Sequence, residues 1–149
     1  MESKDSLQFN MNMGKLISSA HNMMTKRFVQ NAYDEGLDIS LDQWMVLGQI
    51  HYHSDASQKL LSDACLKDKT SISRIISTLE KKNLVIRVSD QLDKRVNRII
   101  LTTAGKQLFN DVLPVMNKTK KEVFHNLSES DIQTFKDVLT KIIENLIKE

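Results

Sequence analysis

Cysteine and glycine are scarce in this 149-residue chain, with one and four copies, and each scarcity closes off a line of explanation. Cys65 is the only cysteine, so an intramolecular disulfide is impossible and a reducing compartment is the natural fit. Four glycines supply neither a phosphate-cradling loop nor a nucleophile elbow, and there is no paired-histidine helix or cysteine cluster. His51 and His53 stand two apart, which at a helix end turns them to different faces, and no carboxylate or cysteine near them has metal-ligand spacing. No apolar run approaches the roughly 20 residues of a membrane span. Met1 to Lys15 contains no hydrophobic stretch of the secretory kind. The expectation is a cytoplasmic protein that is not an enzyme, with no cofactor, no metal and no membrane partner.

Hydrophobic residues make up 40% of the chain and charged residues 27%, enough apolar material for one core, so residues 1–149 are read as a single domain. The net charge of +2 hides an uneven distribution. Between Leu66 and Arg98 lie nine basic residues (Lys67, Lys69, Arg74, Lys81, Lys82, Arg87, Lys94, Arg95, Arg98) and four acidic ones (Asp68, Glu80, Asp90, Asp93). That window carries +5, which leaves −3 for the rest. A basic segment within a slightly acidic protein suits a polyanion, because neutralising phosphates and releasing their counterions supplies most of the affinity. Charge alone is equally compatible with a solvated face.

The apolar spacing gives the order of elements. Phe9, Met13, Leu16, Ala20, Met24 and Phe28 recur every three or four residues and predict a helix from Leu7 to about Tyr33, stopped near Gly36. Ser40 and Gln43 have capping-box spacing before a second helix carrying Leu41, Trp44, Leu47 and Ile50, in which Gly48 would permit a close crossing. Ser57 caps a short third helix with Leu60, Leu61, Ala64 and Cys65 inward, and Leu66-Lys67 form a break. Asp68 caps a fourth, whose core positions are Ile72, Ile75, Ile76 and Leu79 and which ends at Asn83. Its other face holds Lys69, Thr70, Ser71, Ser73, Arg74 and Ser77. Leu84–Val88 and Arg98–Leu101 are strand-like and enclose a polar tip. Thr102 or Thr103 then caps a long helix to about His125, with Leu108, Val112, Val115, Met116, Val123 and Phe124 apolar and Pro114 expected to kink it. Ser128 and Asp131 open a last helix with Ile132, Phe135, Leu139, Ile142 and Leu146 in one stripe.

Helix, helix, turn, helix, strand, polar tip and strand, flanked by long helices, is the order of a winged helix-turn-helix: a mainly α fold with a small two-stranded β-wing. A helix face of short hydroxyls and long cations can enter a major groove, and a tip bearing Lys94, Arg95 and Arg98 can follow the backbone or reach a minor groove. Asp93-Lys94-Arg95, then Ile99-Ile100-Leu101-Thr102 and Gly105, resembles the wing signature of the MarR (multiple antibiotic resistance regulator) family, Asp-x-Arg before a strand ending Leu-Thr-x-x-Gly. Ser57-Gln58, Leu61, Asp68 through Arg74, and Leu79 through Val85 also resemble that family's helix-turn-helix and its exit into the wing. Asn83 stands where a glycine is usual, and Leu66-Lys67 depart from the small and apolar residues usual in the turn.

The resemblance implies a homodimer joined through its terminal segments, 1–36 and 104–149, with a DNA-binding lobe at 40–102. It implies a pseudo-palindromic double-stranded operator, repression, and release by a small molecule. Arg95 becomes the minor-groove arginine and Asp93 its orienting partner. Thr70, Ser71, Ser73 and Arg74 face the major groove, and Lys69, Ser77, Ser57, Lys94 and Arg98 are further candidates for the DNA surface. His21, Met24, Phe28, Trp44 and Met45 are candidates for a ligand pocket between the long helices and the lobe, against the plainer reading that they are core and interface. Two alternatives stay open: a winged-helix module that binds protein rather than DNA, and a redox sensor using Cys65, whose place in an inward stripe argues for packing instead.

Overall fold

The computed structural model describes residues 4–147, with backbone alone for residues 4–11. Helix α1 spans Lys4–Asp34, α2 Leu41–Tyr52, α3 Gln58–Cys65, α4 Lys69–Lys81, α5 Thr103–Val123 and α6 Glu129–Ile147. Strands β1 (Val85–Ser89) and β2 (Asn97–Leu101) pair antiparallel, with Val85 opposite Leu101 and Ser89 opposite Asn97. The expected winged helix-turn-helix between long terminal helices is therefore the observed architecture.

Local chemistry starts each of these helices after the first. Ser40 Oγ accepts from the Gln43 amide while Gln43 Oε1 accepts from the Ser40 amide, a complete capping box. Ser57, Asp68 and Thr102 accept from the amides of Leu60, Ser71 and Gly105 respectively, and Ser128 and Asp131 exchange reciprocal bonds at the start of α6. Each bond satisfies an amide that the first helical turn leaves without a partner.

Three helix ends share a different device. Gly36, Leu66 and Asn83 have φ of +72°, +52° and +59°, and the following amide in each case reaches back five residues, as in Leu37 to Ala32, Lys67 to Ser62 and Leu84 to Leu79. Glycine and asparagine tolerate this left-handed geometry, as the sequence suggested. Leucine does not. Leu66 is exposed and sits there with no packing to reward it, held by the Lys67 amide and by the Ser62 hydroxyl, which donates to the Lys67 carbonyl.

A single core joins the end of α1 (Phe28, Ala32) to α2 (Trp44, Val46, Leu47, Ile50), α3 (Leu61, Cys65), α4 (Ile72, Ile76, Leu79), the wing root (Leu84, Val85, Ile99, Leu101) and α5 (Phe109, Val112, Val115). Phe109 was not among the expected apolar positions, yet it centres an aromatic stack between α5 and α2. Its ring centroid lies 4.7 Å from Trp44 and 4.2 Å from His51, nearly parallel to both. Gly48 sits beside it, but a Cβ there would meet Phe109 Cε2 at 3.9 Å, an ordinary contact, so the crossing does not require glycine. Ala64, expected inward, is exposed. Pro114 lies within a continuous α5. Across the α1–α5 contact, buried Asn31 donates to Thr119 Oγ1 at 3.0 Å and to Glu122 Oε1 at 3.3 Å, and Arg27 pairs with the same carboxylate at 3.1 Å.

The terminal stripes behave differently from the core. In α6 no described residue is buried, and Phe135, Val138, Ile142 and Leu146 are exposed along it. Met13, Leu16, Ile17 and Met24 of α1 are exposed too, and the Phe9 side chain lies outside the described residues.

Candidate nucleic-acid interface

Helix α4 turns Ile72, Ile76 and Leu79 into the core, and this fixes what faces outward. Lys69, Thr70, Ser71 and Arg74 are exposed, while Ser73 and Ser77 are half-buried at the edges of the same face. The Asp68 carboxylate that begins the helix is held below the usual carboxylate range by its hydrogen bonds from Ser71 and secondarily by Arg74 and Lys67, so it stays charged where it caps.

Two cations clamp α4 to the start of α2. Before its first turn, Lys67 Nζ lies 3.2 Å from Asp42 Oδ1. At its far end, Lys82 Nζ reaches the Asp38 carbonyl at 3.0 Å, Gln43 Oε1 at 3.3 Å and the Asp38 carboxylate at 3.4 Å. Gln58 Nε2 adds a bond to the Lys69 carbonyl at 3.2 Å, tying α3 to the same helix.

The wing is built from side chains bonding to their own turns. Asp90 Oδ1 accepts from the Leu92 amide at 2.8 Å, which with a further bond from Asp93 and the nearby Arg98 charge keeps that carboxyl low. Asp93 Oδ1 accepts from the Arg95 amide at 3.0 Å and from Arg95 Nε at 3.2 Å, so the tip brings together the two residues expected to act as a pair. The Arg95 side chain is 92% exposed, and Lys94 is exposed beside it. Arg98 is placed differently. It lies in the body of β2 opposite Val88, its backbone bridged to Ser57, and its Nε is enclosed without a partner among the described residues. Ser57 thus serves as a structural joint: it caps α3, and its neighbour Ala56 accepts from the Ile99 amide at 2.8 Å.

Arg87, Lys59 and Glu80 were not singled out from the sequence. Arg87 Nε lies 2.6 Å from Glu80 Oε1, fastening β1 to the end of α4. Lys59 faces it across a cleft of about 350 Å³ between α3 and the wing. The signal available was their membership of a basic chain segment and its flank, but the pairing depends on how α3 packs on the hairpin.

The five residues proposed to line a ligand pocket are not gathered in one cavity of the protomer. Phe28 and Trp44 are in the core, and His21, Met24 and Met45 are exposed. Met24 borders a cleft of about 350 Å³ with Ala20, Met23, Arg27, Glu122 and Val123. His51 and His53, expected to face apart, both border a cleft of about 260 Å³ near Lys106, because α2 ends at Tyr52 and His53 continues in extended geometry. Among the described residues there is no group of three or more potential metal ligands, and no helix is long and apolar enough to cross a membrane. Burial pushes the Cys65 thiol up, with Lys67 opposing and Asp42 adding to the rise. That environment disfavours the thiolate a redox sensor needs.

The fold defines the class, a winged helix-turn-helix protein with long flanking helices. Residues 37–96 match the sequence model of the MarR family, the family whose wing and turn motifs this sequence resembles. The chain is similar in structure to a probable transcriptional regulator from Pseudomonas aeruginosa, with a TM-score of 0.82 and 19% identity over 90% of this chain and 98% of that one. It is similar to BpsR of Bordetella bronchiseptica, whose DNA binding is regulated by 6-hydroxynicotinic acid, at 0.80 and 21% over 87% and 91%. It also matches MepR of S. aureus, solved in complex with DNA, at 0.77 and 25% over 88% and 94%.

Proposed function

We propose that this chain is a sequence-specific double-stranded DNA-binding transcription regulator acting as a homodimer. The observation that carries the reading is the outward face of α4, where Lys69, Thr70, Ser71 and Arg74 are exposed on one protomer with a wing tip presenting Lys94 and Arg95. Short hydroxyls and arginine suit the donor and acceptor pattern of base edges in the major groove. Arg95, aimed by Asp93, suits the negative potential of a narrow minor groove. Ser73 and Ser77 border the same surface, whereas Ser57 and Arg98 act on it through the joint they form between α3 and the wing.

The apolar stripes of α1 and α6 support the dimer. Phe135, Ile142, Leu16 and their neighbours are exposed apolar stripes without a partner among the described residues, and a second copy of the same chain would cover them by symmetry. Two α4 helices then meet a pseudo-palindromic site with half-sites about 34 Å, or a multiple of that, apart. In the finer reading, the dimer represses transcription and a small molecule releases it by preferring a conformation with a different helix spacing. The region around His21, Met24, Phe28, Trp44 and Met45 is where such a molecule would act, and the ligand control of BpsR supports looking for one.

The test is a mobility shift with DNA from immediately upstream of the chain's own coding sequence, at two salt concentrations with nonspecific competitor, followed by selection from random duplexes. A competitor-resistant complex that weakens with salt is the expected result. Failure with both DNA sources would transfer the fold to a protein-interaction role.

A further inference from the structure

The cleft between α3 and the wing is distinctive in its charge. Every ionisable group lining it is a cation: Lys59 from α3, Arg87 from β1 and Arg95 from the wing tip, with Ser57, Gln58 and Asn97 supplying the polar remainder. Four other clefts border at least one carboxylate (Asp34 and Asp38, Glu122, Glu35 and Asp111) or carry a single lysine beside histidines. Arg87 and Arg95 each keep one carboxylate partner outside the cleft, Glu80 and Asp93, and an anion seated in the cleft would meet all three cations at once.

Arg87 is also prepared for such an anion. A guanidinium has five N–H donors, and the bond to Glu80 uses only the Nε edge, leaving the terminal nitrogens without a bond among the described residues. Glu80 thus fixes the direction of Arg87, which lies on a strand and has little freedom to wander. Planar two-donor presentation is the geometry that phosphate oxygens accept. Lys59 is exposed with no bonded partner among the described residues, so it brings a mobile point charge to the opposite wall.

Resting on the DNA-binding reading above, we propose that this cleft seats one backbone phosphodiester of each half-site, held between Arg87 and Lys59, with Glu80 as a positioning residue for Arg87. The seat carries no base information. It sets the register of α4 relative to the wing, because its two walls belong to α3 and to the hairpin, and one phosphate gripped by both fixes where each lies along the duplex.

The test uses a duplex selected by the full-length wild-type protein, in which each phosphate in turn is replaced by a neutral methylphosphonate. Wild type should lose about tenfold in affinity at one position per half-site. Lys59→Gln and Arg87→Gln should each bind the unmodified duplex about tenfold more weakly, their double variant should lose less than the product, and all three should be indifferent to the methylphosphonate at that position. Glu80→Ala should weaken binding while Glu80→Gln, which keeps an acceptor for Arg87 Nε, should not. Lys59 lies on an exposed helix face, so Lys59→Gln decides the matter if Arg87→Gln unfolds the wing. Variants whose methylphosphonate profile equals that of wild type would overturn the phosphate seat while leaving DNA binding intact. A wild-type protein that selects no duplex would overturn both.

Discussion

Replacing Gly105 by alanine tests how the wing is joined to α5. Thr102 ends β2 and caps α5 in one residue: its amide donates to the Leu84 carbonyl at 3.0 Å, and its hydroxyl accepts from the Gly105 amide at 3.0 Å. This draws the first turn of α5 onto the backbone before β1. A Cβ on Gly105 would overlap the Leu84 carbonyl oxygen, stand 3.0 Å from the carbonyl carbon and 3.3 Å from Leu101 Cδ2. Ordinary carbon contacts lie at about 3.5–4.0 Å, and the nearest obstacle is backbone, which cannot rotate away. The cost should therefore reach the upper part of the range of about 1–3 kcal/mol for overpacking, or exceed it. Gly48→Ala is the control. Its Cβ meets Phe109 Cε2 at 3.9 Å, and a mid-helix alanine gains about 1 kcal/mol over glycine, so the same substitution should stabilise. Urea titration followed by fluorescence of Trp44, at matched protein concentration, reads both. With an m-value of about 1–3 kcal/mol/M, Gly105→Ala should lower the midpoint by about 1 M or more, and Gly48→Ala should raise it by a fraction of that. A neutral or stabilising Gly105→Ala would refute the close approach.

Four further expectations follow from named contacts. Arg95→Ala should weaken DNA binding while leaving the dimer intact by sedimentation; wild-type affinity in that variant would remove the wing tip from the proposed surface. Leu66→Gly should raise the unfolding free energy by up to about 1 kcal/mol, because relief of a left-handed leucine outweighs glycine's entropy cost, and a lower denaturation midpoint would contradict the strain at φ +52°. Cys65 keeps its proton longer in the folded chain than in the unfolded one. Its contribution is thus fully present below the ordinary thiol value of about 8.5 and is lost as pH rises through the raised folded value, so above about pH 8.5 wild type should lose stability faster than Cys65→Ala. Equal slopes would show the thiol to be solvated. Removing the chain after Leu127 should abolish the dimer, and a shortened chain that still sediments as one would place the interface elsewhere.

Which features were legible in the sequence follows from how far apart the interacting residues lie. The caps at Ser40, Ser57, Asp68, Thr102 and Ser128 depend on a side chain and an amide three residues away; four stand where the pattern put them, and Thr102 is the one used of the two threonines offered for α5. The strand pair and the left-handed end at Asn83 were equally local. Phe109 escaped because its partners, Trp44 and His51, are contributed by a helix almost sixty residues earlier, so its spacing within α5 carried no sign of them. Leu66 escaped for the opposite reason, since its backbone adopts a geometry its side chain disfavours. At the candidate site, the face of α4 could be read from its own residues, and the Asp93–Arg95 pair came from the resemblance of the wing motif. The cleft of Lys59, Arg87 and Arg95 exists only once α3 has docked on the hairpin, and the residues suggested for a ligand pocket divide between core and surface.

The clamps at the two ends of α4 have a mechanical consequence. Lys67 and Lys82 are both anchored within residues 38–43, so this rod has no free end about which to pivot. Thirteen residues of helix extend about 20 Å, so a rotation of about 5° passed to the whole helix displaces one end relative to the other by about 1.7 Å, half of the roughly 3.4 Å axial rise between successive phosphates of one strand. The short stretch where α1 hands over to α2 therefore acts as a gear: small rotations entering there leave as displacements along the whole length of α4.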